Sequence, residues 1–450
     1  MERKTLLPKT RMTMKAPEVR LRRTFDVHTH TLSNGLKVLL VENPSNPSVS
    51  LTISVFTGSR HEPEEKAGLA IMVSRLLDEG TKHRTSLEIA EAIESVGGAI
   101  ETDGSFERMV VGGSVLRKDV DLMLELAADV LINPIFPQDF VEKEKSRTLS
   151  EIASAKDRPQ VVAGWAFNEL VYGDHPLRRP SHGYPETVAK ITRDDLLGFH
   201  ERFFAPNNAL LAIVGDFKVA ELLPRIERYF GGWPAKSLSF PTYPDPVRQR
   251  ERRTKYITMT AQQLNIYLGH LGVTRTNPDY YALQVLDTIL GGSAGFAARI
   301  PQRLRDEMGL AYTTFASITM TAGLDPGRFI AFIGTSPENM TLATEGLLNE
   351  IRRIVDEPVT EQELQDAKDY LTGSFVFAFE SSAQIARFLI HAEVYGLGFD
   401  YIEKYPEYIE RLTIDDIARV AKRYLDVDNY TLVVVGPVDE KGKLLNNGLD

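Results

Sequence analysis

Cysteine is absent from the 450-residue chain. Its absence excludes disulfides, thiolate metal sites and cysteine nucleophiles together. A basic excess is missing too: the formal net charge is -10 at pH 7. Wholesale nucleic-acid binding is excluded on that ground, because phosphate contacts need a cationic surface. The acidic balance mainly favours solubility. No stretch is long and apolar enough to span a bilayer. The N-terminal segment is basic (Arg3, Lys4, Lys9, Arg11, Lys15, Arg20, Arg22, Arg23) and is broken by Pro8 and Pro17. It holds no apolar run of signal-peptide length. The expectations are a basic tail over residues 1–25 and a cytoplasmic location.

Hydrophobic residues make up 43% of the chain and charged residues 25%. That suits a globular protein with a large core, and the length suits two or more domains. An internal repeat organises them. Residues 191–217 (ITRDDLLGFHERFFAPNNALLAIVGDF) align without a gap on residues 412–438 (LTIDDIARVAKRYLDVDNYTLVVVGPV), at an offset of 221. Thr192 meets Thr413, Asp194 and Asp195 meet Asp415 and Asp416, and Gly215 meets Gly436. Upstream, Pro134, Gln138, Asp139 and Phe140 meet Pro358, Gln362, Glu363 and Leu364 at an offset of 224.

Each copy reads as a threonine N-cap with an acidic first turn, an amphipathic helix, a turn at Asn208 or Asn429, and a buried strand. Asn34-Gly35 marks a hairpin. Residues 48–56 and 109–115 read as strands, and 68–77 and 86–96 as helices. Helices and hairpins are mixed without strict βαβ order, so the fold class is α+β. Two homologous α+β domains in tandem are expected, over 26–235 and 253–440. The proline- and charge-rich segment 236–252 links them, and 441–450 forms a tail.

Several motifs carry a resemblance. They are Gly58-Ser59-Arg60-His61-Glu62-Pro63, Gly68-Leu69-Ala70, Gly80-Thr81, Asn34-Gly35-Leu36 and Val214-Gly215-Asp216. Together with the repeat, they resemble the pitrilysin/insulinase (M16) peptidases, and most closely the bacterial and mitochondrial-processing branch. The resemblance runs from about Val27 to Val438 and implies two chains closing like a clam shell around a central chamber.

The family's catalytic motif is His-x-x-Glu-His on one helix. Two histidines at i and i+4 hold zinc, and the glutamate takes a proton from the bound water. The matching positions here are Ile71, Ser74 and Arg75. Isoleucine cannot ligate, serine has no useful basicity, and arginine stays protonated and repels a cation. The family's third ligand matches Glu151, which is present. It pairs with Arg75 on one reading and is a solvated helix residue on the other. None of the nine histidines rebuilds the motif. His28 and His30 suit a strand edge, and the repeat partners of His200 and Glu201 are Ala421 and Lys422.

The second half keeps its family features. Gly291-Gly292-Ser293-Ala294-Gly295 precedes Arg303-Leu304-Arg305-Asp306 and Gly309-Leu310-Ala311-Tyr312. The resemblance assigns Arg305 and Tyr312 to substrate backbone and scissile carbonyl. A phenol can stabilise an oxyanion, and a guanidinium offers fixed donors to carbonyls. Gly291, Gly292, Ser293 and Gly295 form either a turn or a substrate-handling loop.

The implied function is that of a non-catalytic, substrate-binding subunit of a heterodimeric zinc metallopeptidase acting on unstructured peptides. It would have no cofactor of its own. A homologous partner with an intact His-x-x-Glu-His would supply the zinc. The alternative is a scaffold or peptide-binding protein without a catalytic role. An independent hydrolase is disfavoured, since no Gly-x-Ser-x-Gly is found. Residues 99–106 read as an edge strand able to pair with extended peptides, or as an ordinary hairpin.

Overall fold

The computed structural model describes residues 25–292 and 298–445. Two mixed sheets of similar topology dominate it. The first runs β1-β2-β6-β3-β5-β4, with β1 His28–Thr31, β2 Lys37–Glu42, β3 Ser48–Val55, β4 Ala99–Gly104, β5 Met109–Leu116 and β6 Ala209–Gly215. The second runs β7-β11-β8-β10-β9, with β7 Arg253–Thr258, β8 Leu264–Leu271, β9 Ala311–Ser317, β10 Arg328–Thr335 and β11 Thr431–Gly436. β2 pairs parallel to β6, β7 pairs parallel to β11, and the remaining pairs are antiparallel. The second sheet therefore repeats the first without its outer strand β1.

The repeat is visible in atomic detail. Thr192 caps the helix Arg193–Phe203 and Thr413 caps Ile414–Tyr424, each in a reciprocal capping box with the aspartate three residues on. Such a box satisfies donors that the first helical turn leaves free. The strand after each helix ends on a glycine at positive φ, Gly215 at 153° and Gly436 at 151°. A Cβ on Gly215 would lie 2.2 Å from the Ser48 carbonyl oxygen, and one on Gly436 would lie 2.8 Å from that of Gln263. Only glycine fits both turns without strain.

Alternation along the strands sorts side chains to two faces. Val49, Leu51, Ile53 and Val55 enter the core that the first sheet shares with its own helices. Leu264, Ile266 and Leu268 do the same in the second sheet. The opposite faces are covered by exchange. The helix Pro159–Tyr172, from the first half, packs Ala163, Phe167 and Val171 on Tyr267, Ile330, Phe332, Val433 and Val435 of the second sheet. Its counterpart Ser382–Val394 packs Ile385, Ala386, Leu389 and Ile390 on Leu39, Val41, Leu210, Ala212 and Val214 of the first. Each fully buried large side chain contributes about 1.5–3 kcal/mol. Polar contacts reinforce the junction. Arg60 lies 3.0 Å from Asp325, and Glu107 accepts from the Leu324 amide and the Tyr395 hydroxyl.

Residues 234–252 contain no helix or strand. The asparagine at the first hairpin does more than turn the chain. Its Nδ2 donates to the carbonyls of Phe230 and Trp233, fastening the hairpin to the end of the helix Val219–Phe230. Among the described residues, no helix is long and apolar enough to cross a membrane.

Candidate functional site

Glu62 starts the helix that matters most. Its two carboxylate oxygens accept from the backbone amides of Gly68 and Ala70, at 3.0 and 2.9 Å, at the head of the helix Leu69–Arg75. Those amides have no carbonyl partner within the helix, and a carboxylate satisfies them. The carboxyl is almost wholly buried. Burial outweighs the two amides and the nearby Arg179 and pushes its pKa up to about 7.

The helix carries Ile71, Ser74 and Arg75. Ile71 is buried, and the Ser74 hydroxyl donates to the Ile71 carbonyl at 2.8 Å. Ser74 also lies hard against β4: a Cβ on Gly104 would meet its Oγ at 2.5 Å. Arg75 projects to the helix Gln138–Lys156. Its Nη1 donates to Glu144 at 2.8 Å and to Glu151 at 2.9 Å, and its Nη2 donates to His182 Nε2 at 3.1 Å. Glu144 and Glu151 stand seven residues apart, two turns along one helix face. Arg147 adds a second cation, with its Nε 3.0 Å from Glu151.

The electrostatics follow from this geometry. Burial opposes the Arg75 charge, but its bonds to Glu144 and Glu151 prevail, so its pKa rises above the ordinary arginine value. Burial would raise the Glu151 pKa, but hydrogen bonds from Arg75 and Arg147 outweigh that and lower it. Burial first, and then the Arg75 charge, lower the His182 pKa. A neutral imidazole accepting at Nε2 carries its proton on Nδ1.

A divalent cation does not fit here. A guanidinium already holds the two carboxylates, and the histidine faces that guanidinium. Among the described residues, no cluster of three histidine, aspartate or glutamate side chains could hold a metal ion. Glu144 and His182 belong to this group and were not singled out from the sequence. The seven-residue spacing to Glu151 is a signal for Glu144, whereas nothing local marks His182.

Arg305 and Tyr312 lie in the second half. Arg305 sits on a π-helical segment, Pro301–Glu307, and its side chain donates to the adjacent Asp306 through Nε at 2.8 Å and Nη2 at 3.3 Å. Tyr312 lies on β9, the edge strand of the second sheet, beside a register shift in the β9–β10 pairing. Its relative exposure is 90%. The two side chains are close enough for the phenol to act electrostatically on the guanidinium. No hydrogen bond or ion pair among the described residues joins either of them to the helix Leu69–Arg75.

Gly291 is buried and Gly292 exposed, while Ser293 and Gly295 lie outside the described residues. The Gly291 and Gly292 amides donate to the Asp287 carbonyl. The Asp287 carboxylate accepts from Ser317 Oγ, Thr319 Oγ1 and the amides of Ile318 and Thr319. Burial raises its pKa despite these donors. Asp287 thus ties the start of the glycine segment to the far end of the strand bearing Tyr312. A single acid in the apolar helix Tyr280–Leu290 was the available signal for it.

The other histidines that the sequence raised lie away from this group. His200 Nε2 bonds to the Leu131 carbonyl at 2.8 Å, and burial lowers its pKa to about 4. His28 and His30 lie on the outer strand β1. The 99–106 segment contributes both an edge strand, β4, and one arm of a hairpin with β5.

Residues 37–183 match the family model described as Insulinase (Peptidase family M16), and residues 190–371 match the one described as Peptidase M16 inactive domain. An uncharacterized zinc protease of Mycobacterium bovis is 30% identical over 417 residues, covering 92% of this chain and 94% of the relative. One from Mycobacterium leprae is 29% identical over 432 residues, covering 95% of each. Among solved structures, a peptidase M16 inactive domain from Pseudomonas fluorescens superposes with a TM-score of 0.86 at 26% identity, over 92% of this chain and 99% of that one. A protease from Helicobacter pylori shares the fold, with a TM-score of 0.84 at 22% identity, over 92% of this chain and all of that one.

Proposed function

The chain belongs to the insulinase (M16) peptidase family, and on that premise we propose that it is the non-catalytic, substrate-binding subunit of a heterodimeric zinc peptidase acting on unstructured peptides. A homologous partner with an intact His-x-x-Glu-His holds the zinc. This chain presents Arg305 and Tyr312 to that site.

One observation carries the reading: the two halves are unequally equipped. At the family's metal position the Arg75 guanidinium takes both carboxylates. In the other half, a phenol stands exposed and a guanidinium is paired with the neighbouring Asp306 at the surface. An exposed pair of that kind contributes little and yields readily to a substrate carbonyl. The partner's metal would polarise the scissile carbonyl. The Tyr312 hydroxyl would donate to the oxygen as negative charge builds there, where a preorganised donor is worth most. Arg305 would donate in fixed geometry to a neighbouring peptide carbonyl.

The test is cleavage by the complex isolated with this chain. Tyr312→Phe and Arg305→Ala should each lower kcat/KM by about 10²–10³-fold and leave the melting temperature unchanged, because both side chains are exposed. Full-rate cleavage by the doubly substituted complex would remove the assigned roles. A zinc-free assembly with no peptidase partner would favour a peptide-binding scaffold instead.

A further inference from the structure

A cavity of about 270 Å³ lies where the two halves meet, at one end of the first sheet. Thr52 and Ser54 of β3 and Val110 of β5 line it from the sheet. Arg108 enters from the turn between β4 and β5, and Arg387 and Ile390 enter from the helix Ser382–Val394. The two guanidiniums therefore come from opposite halves of the chain.

Neither guanidinium has an ion-pair partner among the described residues, whereas Arg60, also at the junction, pairs with Asp325. The one carboxylate on the rim, Asp103, is exposed and makes no ion pair with either. Ser54 lies beneath the cavity, fully buried, with its Oγ closed off from the cavity space. Val110 and Ile390 supply an apolar side. Two unpaired cations and an apolar wall match a carboxylate on a short aliphatic stem.

We infer that this cavity is a subsite for a peptide carboxylate, held between Arg108 and Arg387. Peptide as the ligand class rests on the function proposed above. The carboxylate comes either from an acidic side chain or from the peptide C-terminus, and both place the same group between the arginines.

Binding of short, fluorescently labelled, unstructured peptides to the full chain tests this without reference to cleavage. The set pairs Glu with Gln at one position and a free with an amidated C-terminus. The wild-type chain should prefer the carboxylate-bearing member of one pair by about tenfold, and the pair that discriminates identifies the source. Arg108→Gln and Arg387→Gln should erase the preference, and Arg387→Glu should shift it towards a lysine-bearing peptide. Circular dichroism establishes that each variant is folded, and Arg387, being exposed, is the safer of the two. Equal binding across the set, or a preference that survives both Gln variants, would overturn the subsite alone. Failure of the wild-type chain to bind any peptide would overturn the subsite and the substrate-binding reading together.

Discussion

Arg75 Nη1 lies 2.9 Å from Glu151 Oε2, so the two residues that the sequence resemblance sets at the family's second histidine and third ligand positions are ion-paired. The same nitrogen reaches Glu144 at 2.8 Å. One protein-borne cation neutralises both carboxylates.

Removal of that cation should be costly. Arg75→Ala leaves Glu144, which is buried, and Glu151 facing each other with only Arg147 between them. Breaking a buried pair costs 3–5 kcal/mol, and partial exposure of Arg75 and Glu151 reduces the expectation to about 2 kcal/mol. The pH dependence has a definite sign. A carboxylate whose folded pKa is lowered contributes stability above its unfolded value, near 4.5, and loses it as pH falls through the folded value. Denaturant melts of wild type and variant should therefore differ most above pH 5 and converge as pH falls through the folded value of Glu151. A pH-independent gap would contradict the assignment.

Two substitutions should reopen the metal position. Ile71→His with Arg75→His places imidazoles at i and i+4 opposite Glu151, the donor set that zinc prefers. Ser74 is kept, because it is packed against Gly104. Equilibrium dialysis with metal analysis should find zinc in the double variant and none in the wild-type chain. Zinc held by the wild-type chain would show that Arg75 does not block the position.

The repeat was legible from the sequence because its signals are local. A capping threonine, an acidic first turn, a buried strand and a terminal glycine recur at an offset of 221 residues, and each has a short-range cause. The exchanged helices Pro159–Tyr172 and Ser382–Val394 were not legible in the same way. Their apolar faces announce burial but not the sheet that covers them, and that choice is made by long-range packing. At the site, the side chains at the motif positions, Ile71, Ser74 and Arg75, were readable residue by residue. The ligation of Arg75 was less so, since Glu144 and His182 reach it from a separate helix and a loop. The irregular backbone around Arg305 also escaped, because a π-helical turn differs from an α-helical one by a single residue and leaves no periodic trace.

Glu62 should give the fold a second pH response of opposite sign. Its folded pKa is about 7 against an ordinary value of 4.5. Between those values the folded state binds more protons than the unfolded state, so stability falls as pH rises. The full span is worth a few kcal/mol, on the order of 3. Glu62→Gln should flatten the stability profile between pH 5 and 7. An unchanged slope in the variant would show that another group governs this range.

The central claim is the division of a peptidase site between two chains. Native mass spectrometry with metal analysis, on the assembly isolated from its own cells through a tag on this chain, tests it most directly. The account predicts a second chain of similar mass and one zinc ion per pair. A zinc-free homodimer would contradict it.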